Sequence, residues 1–155
     1  MNQIILTVFI VFVGSLIAIQ GVANSALGKH LGEPLHAALI SFGSGFLLLL
    51  VLTLTLTEGL PDISKVAAVP KVTLIGGALG VVYVTSMILF VPKIGVASAL
   101  IAALCGQVIL SILLDHFGVL GLQANAASPS RIAGGLLIIL GLFLINYKSI
   151  IRHIN

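Results

Sequence analysis

Residues 35–57 read LHAALISFGSGFLLLLVLTLTLT, a stretch of 23 residues with no Asp, Glu, Lys or Arg. An α-helix needs ~20 predominantly apolar residues to cross the ~30 Å hydrocarbon core of a bilayer, and this run exceeds that length. Its last part, Leu52-Thr53-Leu54-Thr55-Leu56-Thr57, alternates as a strand would. The alternation continues an unbroken apolar run, however, and an open strand edge has no hydrogen-bonding partner in lipid. The segment is therefore predicted to be a membrane-spanning helix to its end.

Four further runs of the same kind flank it, at residues 4–24, 72–91, 94–114 and 132–147. The first three reach spanning length; the last has ~16 clearly apolar residues, so it must thin the bilayer or continue through residues 148–151 with Lys148 snorkelling. The connections at 28–34, 59–70, Pro92-Lys93 and 118–129 are short and carry Pro or Gly. The expected fold is thus an all-α integral membrane protein, one five-helix transmembrane domain over residues 1–155.

Composition agrees. Of the 155 residues, 59% are hydrophobic and 7% charged, with a mean hydropathy of +1.29; a soluble domain carries roughly 25% charged residues. The lipid bilayer is the expected solvent. The net charge of +3 comes from seven scattered Lys and Arg, with no patch that could track phosphates, so nucleic acid is not an expected partner. The one cysteine, Cys105, lies inside an apolar run, which leaves no disulfide framework and no metal-ligand cluster. Met1-Asn2-Gln3 carries no basic side chain and the run at 4–22 is long for a signal core, so the first span is expected to be retained.

Five spans would put the termini on opposite sides. Lys65, Lys71 and Arg131 then share the amino-terminal side, while Lys29, Lys93, Lys148 and Arg152 share the other. Positive charge sets orientation where it is asymmetric. A near-balance leaves two readings, a cytoplasmic carboxyl terminus and insertion in both orientations.

Small residues form faces along several spans: Gly14, Ala18, Gly21, Ser25 and Gly28 in the first, Gly76 and Gly80 in the third, Ala99, Ala102, Ala103 and Gly106 in the fourth, and Gly134 and Gly141 in the fifth. Such faces let helices approach closely, and plain helix packing accounts for them.

Polar residues inside spans are the candidates for function. Gln20 and Asn24 are four apart on the first span, beside its small-residue face; Gln107, Ser111 and Asp115 repeat that spacing on the fourth. A polar stripe facing lipid is costly, so these residues should face protein, a cavity or a ligand. Hydrogen bonding between helices is the competing account. Tyr83 follows Gly80 by three and is either a cavity residue or ordinary packing. Asp115 closes the fourth span, where a negative charge opposes the helix dipole; with His116 it is the candidate for proton coupling, and a hydrated interfacial carboxylate is the alternative. Glu33, Glu58 and Asp62 read as loop or span-end residues, and no carboxylate sits near the middle of a span. That favours neutral or zwitterionic substrates over permanent cations, which call for a buried acid. No Ser-His-Asp spacing, HExxH or phosphate loop is present, so neither an enzyme nor a cofactor is expected.

Taken in order, Pro34-Leu35-His36-Ala37-Ala38, Gly76-Gly77-Ala78-Leu79-Gly80, Gly106-Gln107, Ser111, Asp115-His116-Phe117-Gly118 and Gly134-Gly135 resemble the YdcZ-type five-helix family of the drug/metabolite transporter superfamily. The likeness covers essentially the whole chain. Residues 92–141 are also similar to the second half of an EamA-type repeat, two of which are fused in opposite orientation in full-length transporters. The resemblance implies a small-molecule transporter of the bacterial inner membrane. It implies alternating access and a substrate path between two inverted repeats, lined by their first, third and fourth helices. The first span lacks the carboxylate of the small multidrug-resistance branch, offering Gln20 and Asn24 instead, so cation antiport is not implied.

One chain supplies one repeat, so an inverted-repeat dimer is expected, with a second copy of the chain or a sibling five-helix protein as partner. By helical rise, Gln20 lies ~24 Å from one surface, and inversion brings a partner's Gln107 to ~20 Å on the same scale. The other reading is a non-transporting accessory or scaffolding subunit.

Overall fold

The computed structural model describes residues 2–119 and 123–154, with side chains described as far as residue 147. Every regular element among them is helical: α1 (Gln3–Leu31), α2 (Pro34–Leu56), the short α3 (Ile63–Ala68), a 3₁₀ turn (Lys71–Leu74), α4 (Gly76–Ile94), α5 (Val96–Phe117) and α6 (Pro129–Ile154). Five segments are long and apolar enough to cross a membrane: Gln3–Leu31, Pro34–Leu56, Lys71–Ile94, Val96–Phe117 and Pro129–Tyr147.

Local chemistry sets the boundaries. The Asn2 side chain accepts from the Ile4 N–H at 3.2 Å and caps α1. The helix then runs past the expected end at residue 24 to Leu31, because nothing breaks it before Gly32, whose φ of 75° is open to a residue without Cβ. Lys29 and His30 occupy its last turn and complement the dipole. At 29 residues α1 is ~43 Å long, well beyond the hydrocarbon core.

α2 starts with Pro34 in its first turn, where the missing N–H is no loss, and the strand-like 52–57 segment is helical to Leu56. There the Thr55 hydroxyl donates to the Val51 carbonyl at 2.9 Å, and that of Thr57 to Thr53 at 2.7 Å. In the following connection the Asp62 side chain accepts from the Ser64 N–H at 2.8 Å and caps α3. That bond holds the Asp62 carboxyl below the usual carboxylate range.

Pro92, expected in a connection, lies inside α4. It sits in the last turn, so the helix loses only one rung, and the break comes instead at Gly95, with φ 86°. α6 begins at Pro129, where the Ser128 hydroxyl accepts from the Arg131 N–H at 3.3 Å, and it continues beyond residue 147 to Ile154.

The chain divides into two compact units, one ending at Lys93 and one beginning at Ile94. In the first, α1 and α2 pack side by side. The small core is Ala37, Ala38 and Ile88, with Leu27 and Val84 against it. α4 joins where Ile88 meets Gly28 and where Gly80 meets the Phe42 ring. In the second unit α5 packs on α6, with Val108 and Ile112 against Gly135; Cys105 is buried. No large side chain among the described residues is fully buried, and Phe9, Phe12, Leu47 and Leu137 are each more than 60% exposed. Apolar side chains facing outward are what a lipid solvent requires.

Candidate functional site

The first unit holds two adjoining cavities. The smaller, about 10 Å³ and room for one water, is lined by Ile17, Gln20, Gly21, Asn24, Tyr83, Val84 and Met87. The larger, about 340 Å³, is lined by Gln20, Ser41, Phe42, Gly45, Phe46, Leu49 and Val84. Gln20 and Val84 belong to both walls, so a solute resting in the larger chamber would meet the Gln20 amide at the entrance to the smaller.

The residues reach these walls by helical spacing. Gln20, Gly21 and Asn24 come from successive turns of one face of α1, and Tyr83, Val84 and Met87 from one face of α4. Gly21 is buried, yet a Cβ there would meet nothing within 4 Å; its missing side chain leaves space beside Asn24. Asn24 is 8% exposed and lines the smaller cavity. On the cavity wall, an amide can both donate to and accept from a ligand's polar group. The walls carry no ionisable group besides the Tyr83 phenol, so recognition here rests on amides, hydroxyls and aromatic faces.

Three residues singled out from the sequence, Gln20, Asn24 and Tyr83, thus share one cavity. Gln107 and Ser111 lie on α5 in the other unit; both are exposed, and the Ser111 hydroxyl donates to the Val108 carbonyl at 2.9 Å. Asp115 forms an ion pair with Arg131. Its carbonyl accepts from the Asn125 N–H at 2.7 Å, and Nδ1 of His116 accepts from the Ala127 N–H at 3.3 Å. Both residues at the end of α5 are therefore bonded to the chain leading into α6.

Sequence reasoning missed Ser41, Phe42 and Phe46. The available signal was Ser41 and Gly45, four apart on α2, with aromatic rings beside each. Of the packing glycines, Gly80 has the Phe42 ring 3.3 Å from where a Cβ would stand, whereas Gly14, Gly76, Gly134 and Gly141 face nothing within 4 Å. Gly28 is the tightest, with Cγ2 of Ile88 at 2.7 Å. Among the described residues no group of three His, Cys, Asp or Glu side chains is placed to hold a metal.

No curated protein and no solved structure matches the chain. A family model described as "Putative inner membrane exporter, YdcZ" matches residues 5–144, from the first turn of α1 into α6. The family points to a transporter rather than an enzyme. With that match and five apolar helices of spanning length, the chain is a multi-pass inner-membrane protein and belongs to the YdcZ-type family.

Proposed function

We propose that the chain moves a small neutral or zwitterionic solute across the inner membrane, binding it in the chamber between α1, α2 and α4. The observation that carries the reading is the sharing of Gln20 by two cavities, one mainly apolar and large enough for a small organic molecule, the other lined by the amide of Asn24 and the phenol of Tyr83. The Phe42 and Phe46 rings would hold the apolar part of the solute, and Gln20, Asn24 and Tyr83 its polar end. A permanent cation finds no carboxylate in these walls.

Transport also needs access from both sides. Five spanning helices make one repeat, and the reading completes it with a second copy, or a sibling, in the opposite orientation. Gln107 and Ser111, exposed along the middle of α5, are polar groups the partner would cover. Asp115 enters this reading as a latch on the loop before α6, because Arg131 already meets its charge; a proton step there would first have to break that pair.

The deciding experiment is a ligand screen by thermal shift on the purified protein, followed by flux of the stabilising solute in proteoliposomes. A ligand that binds only the folded state raises its stability by mass action. Gln20→Ala should lower affinity about tenfold and slow flux, leaving the unliganded melting temperature unchanged. Saturable flux that Gln20→Ala and Asn24→Ala both leave intact would move the site elsewhere. Binding without flux would favour an accessory subunit.

A further inference from the structure

A separate pocket, about 310 Å³, lies where α1 turns into α2 against the end of α4, and Ser25, Lys29, Pro34, Ile88 and Pro92 are among its walls. Ser25 is 6% exposed, and its hydroxyl has no hydrogen-bond partner. The Thr85 hydroxyl on α4 is in the same state, but Thr85 does not line this pocket; many other helix hydroxyls of this chain are satisfied within their own helix. Those of Thr7, Ser15, Ser44, Thr55 and Ser111 each donate to a carbonyl three or four residues back, the usual resting place for a helix hydroxyl away from water. The Ser25 donor is left for something outside its own helix.

The remaining walls have one polarity. The Lys29 ammonium forms no salt bridge with a described residue. Pro34 is the first residue of α2, whose cap Glu33 makes no side-chain capping bond, so the first-turn N–H groups of Leu35 and His36 have no helical partner and the positive end of the helix dipole faces this turn. No carboxylate is among the lining residues, and Ile88 and Pro92 supply an apolar side. Depth fits the same chemistry. For an upright α1 starting at Gln3, the ~30 Å hydrocarbon core ends near residue 23, and Lys29 stands ~9 Å beyond it, at the level of lipid headgroups.

We propose that this pocket binds an oxyanion carried on an apolar body. Lys29 neutralises it, Ser25 donates a hydrogen bond to it, and Ile88 and Pro92 cover the adjoining hydrocarbon. The phosphate of a phospholipid headgroup and the carboxylate of a small amphiphilic solute share this chemistry. The site does not depend on the transport reading, since none of the residues invoked lines the Gln20 cavities.

Two measurements on the full chain test it. In phosphatidylcholine nanodiscs, binding of radiolabelled hexanoate is compared with hexylamine and with protein-free discs. In a second arm, native mass spectrometry counts the lipid retained by protein purified from mixed phosphatidylglycerol and phosphatidylcholine. Lys29→Gln should weaken anion retention about tenfold and Ser25→Ala about threefold. Lys29→Arg should preserve it, which separates lost charge from lost fold. Lys29-dependent retention of phosphatidylglycerol alone makes the occupant a headgroup, and of hexanoate alone makes it a solute; either supports the site. Retention of both anions unchanged in Lys29→Gln, retention of neither by the native protein, or equal binding of hexylamine overturns it.

Discussion

Replacing Gly28 with alanine tests the α1–α4 contact on which both cavities depend. The added methyl would stand 2.7 Å from Cγ2 of Ile88 and 3.8 Å from Cβ of Ala37. Carbon atoms rest at ~3.5–4.0 Å, so roughly 1 Å must be found. The Ile88 side chain cannot easily yield it. Its Cγ2 is one bond from Cβ, a β-branched residue in a helix is nearly confined to one χ1 rotamer, and Ile88 is only 3% exposed. The strain therefore moves α4 itself, at about 1–3 kcal/mol for overpacking of this kind. Alanine also improves helix propensity by about 1 kcal/mol, which would blur the single measurement. Gly14→Ala supplies the reference, because it lies in the same helix with nothing within 4 Å of its Cβ position. The difference between the two variants cancels propensity and isolates the contact. Reversible unfolding in mixed micelles, followed by circular dichroism, should place Gly28→Ala about 1–3 kcal/mol below Gly14→Ala. In an Ile88→Ala background, where Cγ2 is absent, the gap should shrink below about 0.5 kcal/mol. Equal stabilities of Gly28→Ala and Gly14→Ala in the native background would refute the close approach of α1 and α4.

Gly80→Ala brings a methyl to 3.3 Å from the Phe42 ring; the ring should tilt into the chamber, reducing affinity for the bulkier ligands of a homologous series while melting shifts by about 1 kcal/mol or less. Asp115→Ala and Arg131→Ala each remove half of a pair whose side chains are about one-third exposed, so a double-mutant cycle should give a coupling of about 0.2–1 kcal/mol, with faster amide exchange at Asn125 as the local readout. The Asp62 carboxyl, bonded to the Ser64 N–H, should titrate below free aspartate by carbon NMR. Because folding lowers its pKa, its support of α3 is present at neutral pH and fades as pH falls through the folded value; a midpoint at or above that of free aspartate would remove the cap.

What the sequence made legible follows from how local each signal is. Span length and the absence of charge need no tertiary knowledge, and α2 was readable from end to end. The end of α1 was not, because hydropathy drops at Asn24 while helix formers continue to Gly32. Pro92 was read as a break, although a proline in a last turn removes a single rung. Gln20 and Asn24 stood out because amides four apart in an apolar span have few explanations. Phe42 and Phe46 did not, since a phenylalanine in a membrane helix is ordinary wherever it points. The Asp115–Arg131 pair joins two helix ends across an irregular loop, and no periodicity encodes such a contact. Glycine spacing identified faces but not what they meet: Gly80 has a ring against it and Gly14 has open space.

The threonines that close α2 bear on where the membrane ends. Hydropathy scales charge a hydroxyl for leaving water, as though it entered hydrocarbon unbonded. At Thr55 and Thr57 the donor is already committed to the backbone of the preceding turn, so the bilayer meets mainly the β-methyl and the outer face of a satisfied oxygen. Transfer of this segment is then closer to that of a valine-rich helix than its composition implies. On this side the interface is then expected beyond Thr55 and Thr57, at Glu58, whose charge has no such internal refuge. The threonine-bearing end of α2 is thus suited to hydrocarbon as far as Leu56, while Pro34 at its other end lies in the pocket beside Lys29.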